Sequence, residues 1–162
     1  MLGAVRQPAW FAGLGATPPA REITALLAAL VPLLERRFVH VSSELGLSRA
    51  QGQFLVQLPA DDALPQREMS QRLHCAPSSV VGLIDDLEER GWLARRVDSN
   101  DRRVNVLVLT PAGKKAREEL LAGLLTPPET IRRLPLKTQG ELRDTLRSLA
   151  AELAQHSTER CD

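Results

Sequence analysis

Pro77-Ser78-Ser79-Val80-Val81-Gly82-Leu83-Ile84-Asp85-Asp86-Leu87-Glu88-Glu89-Arg90-Gly91 is the stretch whose reading decides the fold. Proline is pre-set for the first helical turn, where its missing N–H is not needed, so Pro77 marks a helix start. Val80, Ile84 and Leu87 then recur at four- and three-residue spacing, one apolar face of a short helix, and Gly91 ends it as a left-handed C-cap. Just upstream, Met69 and Leu73 lie four apart in a shorter helix from about Pro65 to Leu73, and His74, Cys75 and Ala76 form the turn between the two. Two helices joined by so short a turn make a helix-turn-helix. Just downstream the period changes from helix to strand. Leu93 to Val97, a polar turn of Asp98, Ser99, Asn100, Asp101, Arg102 and Arg103, and Val104 to Leu109 with alternating Val104, Val106 and Val108 read as a hairpin.

The flanks read as helices. Thr110-Pro111 starts one with a cap residue followed by a first-turn proline, and it carries Lys114, Lys115, Leu120, Leu121 and Leu124. Thr126-Pro127-Pro128 interrupts it, a short segment from Glu129 to Leu134 follows, and a last amphipathic helix over about Thr138 to Gln155 aligns Leu142, Leu146, Leu149 and Leu153. On the other side, Ser48 is a good N-cap for a helix reaching about Leu58 with Phe54, Leu55 and Leu58 at helical spacing, and Pro59 to Pro65 reads as a loop. Before it, Ile23, Leu26, Leu27, Leu30, Leu34, Phe38, Val41 and Leu45 draw one stripe along a helix of about seven turns, with Pro32 expected to kink it and Gly46 to stop it. Residues 1–20, with Gly3, Pro8, Gly13, Gly15, Pro18 and Pro19, read as an arm preceding the fold.

The expected architecture is therefore mainly α with a small β-hairpin wing. It divides into an arm (1–20), a first long helix (21–47), a winged helix-turn-helix region (48–113) and C-terminal helices (114–162), one structural domain overall. At 162 residues, 43% of them hydrophobic, the chain can bury one core. No apolar run reaches membrane-spanning length, and the stretch Ala9 to Gly15 is too short for the core of a secretion signal, so a soluble cytoplasmic protein is expected. Cys75 and Cys161 supply neither a disulfide framework nor a CxxC motif, in keeping with a reducing compartment. Net charge is only +1, but between Gln66 and Arg117 ten Lys/Arg face seven Asp/Glu, and Arg95, Arg96, Arg102 and Arg103 bracket one polar turn where phosphates would be met.

The segments Leu87-Glu88-Glu89-Arg90-Gly91-Trp92-Leu93, Asp101-Arg102-Arg103 and Leu109-Thr110-Pro111-Ala112-Gly113 resemble the signature of the MarR family of winged helix-turn-helix regulators. In that family a recognition helix ends in L-E-x-x-G, a wing carries D-x-R, and L-T-x-x-G opens the next helix. Leu47-Ser48 and Gln51 resemble its L-T-x-x-Q, so the likeness runs through most of the chain. The resemblance implies a homodimer held by N- and C-terminal helices, two winged lobes on a pseudo-palindromic stretch of double-stranded DNA, often a small-molecule effector, and a repressor's role.

The residues themselves point to the same use. A helix starting at Pro77 directs its positive end, free N–H groups and the hydroxyls of Ser78 and Ser79 outward, so Ser78, Ser79 and Gly82 are the expected groove-facing set. Arg103 is the expected wing-tip residue for a minor groove, with Asp101 orienting it. Gln66, Arg67, Arg95, Arg96 and Arg102 are candidate phosphate contacts. Arg37, Phe38 and Phe54 are candidates to line an effector cavity, although a plain core explains both phenylalanines as well. Trp92 reads as a hydrophobic plug under the wing, and Cys75 as packing rather than a redox sensor. His40, His74 and His156 are far apart with no ligand cluster, so neither metal nor cofactor is expected.

An enzyme is disfavoured: no glycine-rich phosphate loop, G-x-S-x-G or HExxH occurs, and the chain has no tyrosine. The rival is a winged-helix interaction module that has lost DNA binding. It is encouraged by Gly82 and the acidic pair Asp85-Asp86 where relatives carry long polar side chains, and opposed by the retained Asp101 and Arg103.

Overall fold

A computed structural model describes residues 19–98 and 101–158. The element order is α1 (Pro19–Glu44), α2 (Arg49–Gln57), β1 (Leu64–Pro65), α3 (Gln66–Arg72), α4 (Pro77–Glu89), β2 (Leu93–Val97), β3 (Asn105–Leu109), α5 (Pro111–Leu125), α6 (Glu129–Arg132) and α7 (Leu136–Thr158). The arm over residues 1–18, Ser99 and Asn100 of the polar turn, the side chain of His156, and Cys161 lie outside the described residues. No described helix is long and apolar enough to cross a membrane. The chain divides into two compact units, Met1–Leu124 and Leu125–Asp162.

The first unit is built around one apolar core. Phe54 and Leu55 of α2, Leu58 at its C-cap, Met69 of α3, Val80, Ile84 and Leu87 of α4, Leu107 of β3 and Leu120 of α5 are all fully buried. Each such side chain contributes about 1.5–3 kcal/mol of burial. The helix boundaries follow from capping chemistry. Ser48 Oγ accepts the Gln51 N–H at 3.2 Å while Gln51 Oε1 accepts the Ser48 N–H at 3.0 Å, a complete capping box at the start of α2. Gly46 (φ +66°) and Gly91 (φ +70°) close α1 and α4 in the left-handed region. In each case two backbone bonds tie the following residues to the last turn, Leu47 to Ser42 and Gly46 to Ser43 at the first, Trp92 to Leu87 and Gly91 to Glu88 at the second. Pro32 lies inside α1.

The expected hairpin is present as β2 and β3, within a sheet of three strands. Its order is β1-β3-β2, all antiparallel, with Leu64 opposite Leu107 and Pro65 opposite Val106 on one side, and Leu93 opposite Leu109 and Arg95 opposite Leu107 on the other. The segment expected as loop thus supplies a two-residue edge strand. Proline is tolerated there because an edge strand needs no donor on its outer side. Burial also departs from strict alternation in β3, where Val106, Leu107 and Leu109 are buried and Val108 only half-buried.

In the second unit, α6 and α7 leave Leu136, Leu142, Leu146 and Leu153 exposed. Ile131, Leu136, Leu142 and Leu146 border one depression of about 440 Å³. In the first unit, α1 likewise exposes Ile23, Leu26, Leu30, Val31 and Leu34, the last at 63%.

Candidate nucleic-acid interface

The turn between α3 and α4 is tight because His74 takes a left-handed conformation at φ 48°, a position usually given to glycine. Its N–H reaches Gln71 O at 3.1 Å and that of Cys75 reaches Ser70 O at 3.2 Å, so α3 closes as α1 and α4 do. α4 then starts from Ala76 with no side-chain cap and with Pro77 in its first turn. Ser78, Ser79 and Gly82 are exposed on one face while Val80, Ile84 and Leu87 are buried on the other. The expectation of two free N–H groups needs correction: that of Ser79 turns back to Ala76 O at 3.0 Å, so Ser78 is left as the open donor of this turn. A Cβ at Gly82 would meet nothing within 4 Å, so glycine is not required there by the chain's own packing and leaves the face low.

The wing is organised by Asp98 and Asp101. Asp98 donates its N–H to Val104 O at 2.9 Å and Val104 donates to Asp101 O at 3.0 Å, closing the hairpin. Asp101 Oδ1 accepts the backbone N–H of Arg103 at 2.9 Å, so the carboxylate fixes Arg103 through its backbone rather than its guanidinium. Arg102 and Arg103 are exposed. Pro65, Gln66 and Arg67 at the start of α3, Pro77 at the start of α4, and Arg103, Val104 and Asn105 of the wing line one open groove of about 360 Å³. The fold therefore gathers Gln66, Arg67 and Arg103, 37 positions apart in the chain at most, beside the first turn of the helix-turn-helix's second helix. Arg96 lies elsewhere, in a depression shared with Asp61, Asp62 and Lys114.

Arg95 is placed differently from its expected role at phosphates. Its Nη2 donates to Asp85 Oδ1 at 2.5 Å, its Nη1 pairs with Glu88, and its backbone N–H donates to Glu88 Oε1 at 2.7 Å. Asp86 in turn accepts Gln51 Nε2 at 2.9 Å. The acidic pair that looked like a bare surface feature is thus used inside the unit, Asp85 toward the wing and Asp86 toward α2. The alternation of a strand sends Arg95 and Arg96 to opposite faces. That signal was present in the sequence, but the partner 35 residues from Gln51 was not.

The three candidate cavity residues differ in their settings. Phe54 is fully buried in the core, and Arg37 Nη2 donates to Gly123 O at 2.9 Å. Phe38 borders an open depression, of about 310 Å³, with Gln53, Val56, Gln57, Arg72, Leu73 and His74. Cys75 is half-buried and packs against the core. Among the described residues, no group of His, Cys, Asp and Glu is arranged to hold a metal ion. Trp92 is half-buried against the core, and the Arg90 guanidinium stands 5.5 Å from its ring while Nη2 donates to Gly46 O at 2.8 Å. Thr110 Oγ1 donates to Gly91 O at 2.6 Å and accepts the Gly113 N–H at 3.0 Å, so the motif residues after the wing fasten α5 to the end of α4.

Residues 47–104 match the model of the MarR family. The chain is 32% identical over 102 residues to the HTH-type transcriptional repressor MdtR of Bacillus subtilis, covering 63% of this chain and 66% of that protein. Across the curated relatives it matches, the chain spans between 52% and 77% of their length. Among solved structures, a MarR-family transcriptional regulator from Rhodococcus sp. RHA1 superposes with a TM-score of 0.62 at 26% identity, over 83% of this chain and 96% of the other. CouR from Rhodococcus jostii RHA1, solved bound to p-coumaroyl-CoA, gives 0.59 at 25%, over 83% and 96%.

Proposed function

Since the chain belongs to the MarR family of winged-helix proteins, we propose that it is a DNA-binding transcriptional regulator that binds a pseudo-palindromic duplex as a homodimer and acts as a ligand-responsive repressor. The observation that carries this reading is the groove in which Gln66, Arg67 and Arg103 meet the start of α4. Cationic side chains there suit phosphate oxygens, which fix register, while the low face of Ser78, Ser79 and Gly82 suits base edges in a major groove. Arg103 on its carboxylate-fixed turn is the minor-groove residue, and Arg67, Arg96 and Arg102, which form no ion pair among the described residues, are the phosphate contacts. With no long side chain on that face, specificity rests on short contacts, water and duplex shape.

The repressor's role follows the name of MdtR, and an effector follows the ligand-bound CouR, with the depression beside Phe38 as its place. The rival interaction module is weakened, because Asp85 and Asp86 each have a partner within the unit. A gel shift with the DNA upstream of the chain's own gene, with and without aromatic carboxylic acids, tests the reading. A retarded band that outlasts excess random duplex is expected, and its absence at micromolar protein would overturn specific binding.

A further inference from the structure

The helix that faces the proposed duplex carries four carboxylates, Asp85, Asp86, Glu88 and Glu89, and neither lysine nor arginine. All four lie toward its C-terminal end, where the helix dipole opposes them. Asp85 also continues the stripe of Ser78 and Gly82, seven and three residues on, so one negative charge stands on the face that would approach phosphates. A duplex would be repelled by this helix unless the charge were answered. Arg95 answers it from the outer edge of β2, one guanidinium serving Asp85 at 2.5 Å and Glu88, while its N–H takes the second oxygen of Glu88 at 2.7 Å. The arginine and Glu88 side chains are 31% and 29% exposed, so this pairing is only partly screened by solvent.

We propose that Arg95 is a positioning residue: it clamps the wing strand to the recognition helix and offsets one of the two charges of the Asp85–Glu88 carboxylates, so that the Ser78–Gly82 face can approach DNA. This rests on the DNA-binding reading above. It differs from a phosphate contact in sign. Removing a phosphate contact loses an attraction that the Asp85 and Glu88 carboxylates do not govern, whereas removing Arg95 unmasks a repulsion that removing those same carboxylates relieves.

The test uses the full chain and a short duplex from upstream of its own gene, with fluorescence anisotropy read over a range of salt. Arg95→Gln should weaken binding about tenfold at low salt, and less at high salt, where the repulsion is screened. Adding Asp85→Asn and Glu88→Gln should restore most of the loss, while the same pair added to Arg102→Ala should restore far less. Rescue of Arg95→Gln no greater than that of Arg102→Ala would overturn the proposal and return Arg95 to the phosphates. A wild-type chain that bound no duplex would sink the DNA-binding reading instead. The clamp is then judged without DNA: amide exchange over residues 93–97 should quicken in Glu88→Gln, and exchange that does not change would overturn the clamp itself.

Discussion

A methyl group on residue 113 would stand 1.9 Å from the Trp92 carbonyl oxygen, and a backbone atom cannot rotate away as a side chain can. Gly113→Ala should therefore destabilise the first unit by about 1–3 kcal/mol or more, measured by urea denaturation. Arg103 sits at the opposite extreme, exposed and bound to its neighbours only through its backbone. Arg103→Ala should leave the circular dichroism spectrum and melting unchanged while weakening operator binding by about 1–3 kcal/mol, and equal affinity would remove the wing from the mechanism. Both positions stood out in the sequence through the segments around them. The clamp of Arg95 did not, because strand alternation tells which face a side chain takes and not which carboxylate waits there. For the same reason Phe38 and Phe54 share a helical chemistry in the sequence yet part company in space, one on an open depression and one at the centre of the core.

At the scale of elements, α2 holds more than its length suggests, since Gln51 closes its capping box and also donates to Asp86 of α4. Ser48→Ala should cost about 1 kcal/mol, the usual worth of a cap, and Gln51→Ala should cost more because it frees a capping N–H and a carboxylate together; chemical denaturation would rank them. Arg49 Nε donates to Glu35 at 2.7 Å, tying α2 to α1, and that hydrogen bond holds the Glu35 carboxyl below its ordinary value. A depressed pKa gives stability above the unfolded value, near 4.3, that is lost as pH falls through the folded one, so Glu35→Gln should lose less stability than wild type between about pH 5 and pH 3. Both groups are exposed and the difference is small. Helix limits were legible to within three residues because proline, serine and glycine punctuate them, Pro77, Ser48, Gly46 and Gly91 above all. β1 was not legible, since two residues ending in proline carry no period and Pro65 reads as a loop until its partner Val106 is known.

For the whole molecule, the exposed apolar side chains of α1 and, in the other unit, of α7 are what a dimer would cover. Light scattering at micromolar concentration should give twice the chain mass of 17.8 kDa. A two-fold dimer sets its recognition helices about one helical turn of DNA apart, so inserting about 5 bp between half-sites should abolish tight binding, and indifference to it would remove the dimer from the mechanism. Pro65 bears on the chain in another way. It is paired with Val106 in the sheet and is followed at once by Gln66, the first residue of α3, with nothing between to take up slack. A residue added after Pro65 would have to come out of the ladder or out of the helix, shifting the groove's two walls against each other. Between Pro59 and Leu64, by contrast, a residue gained or lost disturbs neither, whereas the spacing from Leu64 to Gln66 is one the fold must keep.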